Sequence, residues 1–264
     1  MKRFIPFVDG PPRVAVIRLA GAIGTGRTPL NDATLAPLIE RAFRRGKPKA
    51  VALLINSPGG SPVQSSRIAS RIRRLADEKK LPVHAFVEDV AASGGYWLAC
   101  AADDIYADRA SIVGSIGVIS GGFGAQDFIA KHGIERRIYT AGQSKSQLDP
   151  FKDENPEDVA RLQVILDKMH QVFIDHVQQG RGARLADDPR LFTGEFWLAE
   201  DAKDLGLIDG IGHIEAVMKE KYGEDVKFIR YDKKRGMLSR FGLSIADEAL
   251  ATLEERALLA RYGL

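Results

Sequence analysis

Ser93 is the residue best placed for covalent chemistry. It sits in D-V-A-A-S-G-G-Y-W-L-A-C, from Asp89 to Cys100, after the apolar run Val83 to Val87 and before a small-residue segment suited to a helix. Gly94 and Gly95 follow it directly, and glycines at a strand-to-helix junction let the backbone turn sharply and another group come close. A serine at such a bend exposes its hydroxyl, and the helix amides behind it favour developing negative charge. The same residues also suit a plain loop with serine as a helix N-cap. The phrase by itself leaves nucleophile and cap both open.

A serine needs a base to attack a carbonyl near neutral pH. Of the five histidines, His84 lies within the strand that leads to Ser93, and His170 and His176 lie in a long helix. Neither they nor His132 and His213 stand in a glycine-bounded loop at a strand end, so packing or surface roles are expected for all five. Lysine is the second kind of base, and it works only when neutral. Desolvation disfavours the ammonium form, so a lysine in a dry cleft can take a proton from serine. Lys145, in A-G-Q-S-K-S-Q-L-D-P directly after an expected strand, is the candidate, although a loop of that polarity equally suits a solvated lysine. No H-E-x-x-H or comparable pair points to a metal. The single cysteine, Cys100, excludes an intrachain disulfide and a four-cysteine zinc site, and is expected to be a small buried apolar residue.

The elements that must position these groups follow from periodicity. Val14 to Leu19, Ala50 to Ile55 and Val83 to Val87 read as strands, alternating with helices whose apolar faces are Leu35, Leu38, Ile39, Ala42 and Phe43, then Ile68, Ile72 and Leu75. Ser61, Pro62 and Gln64 supply an N-cap, a first-turn proline and a capping-box partner. This order predicts right-handed βαβ crossovers around a parallel sheet. The glycine-rich loops at 57–61 and 92–95 both fall at carboxyl ends of strands, where open α/β sheets carry their working loops. Further along, the pattern predicts a strand near Ile105 to Ala107 and an extended glycine-rich stretch within 111–124. It then gives a helix near Gln126 to His132 and a strand near Glu135 to Thr140. The longest helix starts at Asn155-Pro156, with Leu162, Leu166, Met169 and Phe173 facing inward. Val226 to Tyr231 reads as another strand. After Lys233-Lys234-Arg235-Gly236, Ser244 caps a helix with Leu250, Leu253 and Ala257 on one face, a packing or oligomerisation element.

Composition narrows the class. The 264 residues are 45% hydrophobic and 28% charged with a formal charge of +3, which describes an ordinary globular protein with no nucleic-acid partner. No apolar window reaches the roughly 18 residues of a membrane span, and Pro6, Asp9, Pro11 and Pro12 interrupt the start where a signal peptide would lie. A cytoplasmic protein is expected, with peripheral contact at the inner face of a membrane compatible with this pattern.

N-S-P-G-G-S after one strand, A-S-G-G-Y-W after the next, then G-S-I-G-V-I and S-K-S-x-x-x-P together resemble the signal peptide peptidase A family. These are serine proteases on a ClpP/crotonase-like fold with a Ser–Lys dyad, and the resemblance runs from about Val14 to Gly212. It implies Ser93 as nucleophile, Lys145 as general base, Ser115 as the hydroxyl that orients the lysine, and the N–H groups of Gly60 and Gly94 as the oxyanion hole. It implies no cofactor and no metal. The organisation expected is an arm at 1–12, a peptidase domain of repeated β-β-α units at 13–232 and a C-terminal helical tail at 233–264. With one copy of each motif, a homo-oligomer is implied. It would be a ring that admits unfolded or short peptides, with the dyad drawn from one subunit or shared between two. Two rivals remain. One is a crotonase-like acyl-CoA hydratase or isomerase using Glu88; the other is a non-catalytic ring subunit that binds peptides.

Overall fold

The computed structural model describes residues 10–24, 29–142, 144–232 and 260–263. Three strands form its centre: β1 (Arg13–Ala20), β2 (Ala50–Ser57) and β3 (Val83–Ala92). β1 pairs with β2 and β2 with β3, all parallel. Side chains alternate between the two faces of a strand, and here both faces are covered. Ile17, Leu19, Leu53, Ile55 and Ala85 pack under helices on one side. Val14, Val16, Ala50, Ala52 and Phe86 meet Val217 and Met218 on the other. Burial on both faces is why these strands read as continuous apolar runs.

Helices α1 (Asp32–Arg44) and α2 (Pro62–Lys79) cover the first face. Asn31 caps α1 by accepting from Thr34 N–H, and Ser61 caps α2 by accepting from Gln64 N–H; each such cap stabilises by about 1 kcal/mol. The capping-box expectation for Gln64 is corrected. Its Oε1 accepts from Asp32 N–H at 2.9 Å, while Ser61 N–H goes to Ile23 O. A tertiary contact between helix ends has taken the side chain. Asp32 also receives both arms of Arg71, at 2.7 and 2.9 Å, and Arg67 at 3.2 Å.

β3 is the branching strand. Its first half pairs with β4 (Asp104–Ala107), which continues to β7 (Gly210–Ile211); its second half pairs with β5 (Ile112–Gly114), which continues antiparallel to β6 (Phe196–Leu198). A register shift between Ile55 and Ser57 in the β2–β3 ladder marks the irregularity at this point, and bulges of this kind bend and twist a strand. α3 (Gly94–Ala99) follows β3, and β8 (Lys227–Tyr231) extends the sheet beyond β1. The remaining helices are α4 (Gln126–Lys131), α5 (Pro156–Arg181), α6 (Ala199–Asp204) and α7 (Ile214–Tyr222).

Two expectations fail on the same side of the molecule. Residues 135–140 form no strand, because no strand among the described residues pairs with them. In α5 the inward face is buried only from Phe173 onward, at Phe173, Val177 and Arg181; Leu162, Leu166 and Met169 are half-buried. The expected helix after Ser244 lies outside the described residues, and Ala260–Tyr262 form one 3-10 turn.

The Asp32 cluster sets an acid limit on stability. Hydrogen bonds from Arg71 hold the Asp32 carboxyl below its ordinary value. A depressed folded-state pKa means this stabilisation is present above about pH 3.9, the ordinary carboxylate value, and is lost as pH falls through the folded one. Asp32→Asn is expected to cost about 2 kcal/mol in urea unfolding at neutral pH, with the gap to the parent closing in acid.

Candidate active site

Strand register brings the two glycine-rich loops together. Ser57 pairs with Ala91, so Pro58-Gly59-Gly60 runs beside Ala92-Ser93-Gly94. The approach is too close for side chains. A Cβ on Gly59, whose φ is +100°, would stand 2.7 Å from Gly94 N and 2.9 Å from Ser93 Cβ. One on Gly95 would strike the Ser57 carbonyl oxygen. Ser57 itself is buried, donating to Gly21 O at 2.7 Å and accepting from Gly59 N–H at 3.2 Å.

This packing leaves two donors unclaimed. Ile23 N–H goes to Gly59 O, Ser61 N–H to Ile23 O and Ser93 N–H to Gly114 O. Among the described residues, the N–H groups of Gly60 and Gly94 have no acceptor. Ser93, directly before Gly94, has φ 51° and ψ −120°, a conformation costing a non-glycine residue on the order of 1–3 kcal/mol. Its hydroxyl caps nothing, so the cap reading of the sequence is set aside. Strained turns of this form hold a nucleophile's oxygen clear of its own backbone.

Ser115 mirrors Ser93 on the next strand. Ala92 pairs with Gly114, so both serines stand one residue past a paired strand end, and Ser115 also has a positive φ of 53°. Ser115 N–H is held by Glu195 O at 2.7 Å, and the Trp197 ring lies so close over Gly114 that a Cβ there would meet it at 2.8 Å. Ser93, Ser115, Gly60 and Gly94 are therefore brought to one place by β2, β3 and β5.

Lys145 is not joined to them within one chain. It lies in an exposed turn, its N–H bonded to Gly142 O, and its ammonium has no hydrogen bond or ion pair among the described residues. The arm that carries it exposes Ile119, Phe123, Phe128, Ile134 and Tyr139, with Phe123 92% and Tyr139 91% accessible. A groove of about 1010 Å³ runs between this arm and the start of α5, and Ser93 is not part of its wall.

No histidine competes for the base role. His84 is buried, with Nδ1 2.5 Å from Asp104 Oδ1 and Nε2 2.8 Å from the Tyr222 hydroxyl. His176 stacks on Trp97 and bonds its carbonyl at 2.9 Å; burial lowers its pKa. His170 holds Ile116 O, His132 holds Phe128 O, and His213 faces Asp108. Cys100 is buried and its thiol is pushed up to about 12 by desolvation, so it is inert at neutral pH. Glu88 is tied to Arg18 at 2.9 Å. No group of three or more metal-ligating side chains occurs among the described residues. Tyr262, which sequence spacing gave no reason to single out, has its hydroxyl 3.5 Å from Ser115 Oγ.

With this geometry in hand, comparison with known proteins is decisive at the level of family. The family model of Peptidase family S49 matches residues 75–226, a span that includes Ser93, Ser115 and Lys145. The chain belongs to peptidase family S49. It is 45% identical over 286 aligned positions to the Na(+)/H(+) antiporter NhaA of Brucella abortus (strain 2308), covering 100% of this chain and 39% of that protein. It is 31% identical over 226 positions to the chloroplastic serine protease SPPA of Arabidopsis thaliana, covering 80% of this chain and 33% of that one. The chain thus spans well under half the length of either relative. Among solved structures, a serine-to-alanine mutant of the 1510-N membrane-bound stomatin-specific protease superposes with a TM-score of 0.54 at 15% identity, covering 85% of this chain and 100% of that one. That likeness shows the fold, the S49 form of the ClpP/crotonase-like architecture. No helix among the described residues is long and apolar enough to cross a membrane.

The glycine contact can be broken alone. Gly59→Ala adds a side chain at positive φ against backbone atoms, so a loss of about 2 kcal/mol in thermal or urea unfolding is expected. Stability equal to the parent would show that the two loops are not pressed together.

Proposed function

We propose that this S49 family member is a serine endopeptidase in which Ser93 attacks the peptide carbonyl and Lys145 is the base. The observation that carries the reading is Ser93 in a strained turn at the strand end where Gly60 and Gly94 N–H have no acceptor among the described residues. Donors fixed in advance stabilise the charge that develops on the carbonyl oxygen without reorganising. Uncharged Lys145 Nζ takes the proton as Ser93 Oγ bonds to the carbonyl carbon. The tetrahedral oxyanion receives hydrogen bonds from Gly60 and Gly94. Collapse breaks the C–N bond, and the lysine gives its proton to the departing amine. A water, losing its proton to the same lysine, then hydrolyses the acyl-serine. Ser115 Oγ positions the amine.

A lysine works this way only when desolvated, and Lys145 of an isolated chain is exposed. Burial of the apolar arm against a second copy would supply the desolvation, so the site is completed between subunits of a homo-oligomer, most simply a ring. Such a ring admits unfolded or short peptides, with small or hydrophobic side chains favoured beside the cut. The hydratase alternative finds no support, since Glu88 is committed to Arg18.

The test is hydrolysis of a quenched fluorescent casein or peptide. Ser93→Ala and Lys145→Ala are each expected to lower kcat/KM by at least about 10³-fold. Mixing the two inactive proteins is expected to restore a measurable fraction, because one copy's serine meets the other's lysine. Full activity in either variant removes the dyad. Two inactive variants that stay inactive on mixing mean that each site is built within one subunit.

A further inference from the structure

One hydrogen bond at the root of the exposed arm has no part in the mechanism above. Ile116 is buried, and no described residue between it and Phe173 is. The segment that carries Lys145 therefore leaves the packed body just after Ser115 and rejoins it in α5. His170 Nε2 lies 3.0 Å from Ile116 O, across 54 positions of chain, and closes that segment at its base. A carbonyl only accepts, so Nε2 carries the hydrogen and the ring donates.

What this bond restrains is the Ser115 turn. Ser115 has a φ of 53°, a region that residues other than glycine seldom occupy. Its carbonyl accepts from Gly117 N–H at 3.0 Å, so a three-residue turn follows, closed by one short-range bond. The chain entering β6 steadies one side of it. Ser115 N–H goes to Glu195 O at 2.7 Å, and a Cβ on Gly117 would stand 3.1 Å from Gly194 Cα. On the other side the Ile116 carbonyl meets α5, and His170 is the donor that α5 supplies. The same helix holds Trp97 O through His176 at 2.9 Å, so α5 grips both the helix after Ser93 and the turn at Ser115. Strain at a positive-φ residue lasts only where its surroundings fix it.

We propose that His170 is a positioning residue for the Ser93 reaction: by holding Ile116 O it fixes the Ser115 hydroxyl, whatever the arm outside it contacts. The ring touches no substrate and passes no proton to the reacting atoms. Its effect on turnover rests on the peptidase reading above; its hold on the turn does not.

Two variants separate the donor from the bulk. His170→Leu removes the N–H, and His170→Gln keeps one at similar reach. His170→Leu is expected to lower kcat at least about tenfold with KM within about twofold, and His170→Gln to stay within about threefold of the parent. In Ser115→Ala protein the same leucine change is expected to cost less than about twofold, because groups acting through one another are not additive. Hydrogen exchange read by mass spectrometry needs no substrate. The amides of residues 115–117 are expected to exchange at least about tenfold faster in His170→Leu and at the parent rate in His170→Gln. Should His170→Leu fail to fold, His170→Phe, which keeps a ring without the donor, is read in the same way. An equal kcat loss with and without the Ser115 side chain, a loss that glutamine does not recover, or unaltered exchange at 115–117 overturns the proposal. A parent that hydrolyses nothing while exchange follows the donor sinks the peptidase reading alone.

Discussion

Main chain pressed against main chain is the constraint on which this structure rests. At Gly59 and Gly95 the main chain at the ends of β2 and β3 approaches within distances that no Cβ would survive. Beside that contact, the N–H groups of Gly60 and Gly94 have no acceptor among the described residues. The contact also fixes the turn that holds Ser93 at positive φ. Strain of a few kcal/mol at one residue persists only where its surroundings over-determine it. Here the parallel ladders of β2, β3 and β5 supply that rigidity, with a hydrogen bond from Ser93 N–H to Gly114 O.

The rest of the molecule divides by how completely it is packed. The sheet and helices α1 to α3 are closed on both faces, and the ion pair of Asp32 with Arg71 is largely covered between α1 and α2. The arm after Ser115 and the first half of α5 have apolar side chains and little to cover them. Ser93, Gly60 and Gly94 belong to the closed part, and Lys145 to the open one. In the proposed mechanism the base must be dry while Lys145 is exposed, so that proposal ties activity to burial of one amine.

The sequence was most legible where burial is uniform. Val51 to Ile55 and Val83 to Val87 announce doubly covered parallel strands, and the glycines after them announce the loops. The sharp turn at Ser93 was legible because a serine followed by two glycines at a strand end is a feature of local backbone. Periodicity misled where a partner was needed. Ile138 and Tyr139 have strand-like side chains, yet no strand lies beside them to pair with. Leu162, Leu166 and Met169 do repeat as a helix face should, but a repeat shows which face is apolar and not what covers it. Gln64 fitted a capping box and was instead taken by Asp32 N–H. Tyr262 lies 147 positions beyond Ser115, and no spacing rule spans such a distance.

The most direct measurement is a crystal structure of the assembled protein with Ser93 acylated by a peptide-like inhibitor. The account predicts the acyl oxygen about 2.7–3.1 Å from both Gly60 N and Gly94 N, with Lys145 Nζ of a neighbouring copy in hydrogen-bond reach of Ser93 Oγ. An acyl oxygen turned away from those two N–H groups, or every Lys145 still facing water, would contradict it.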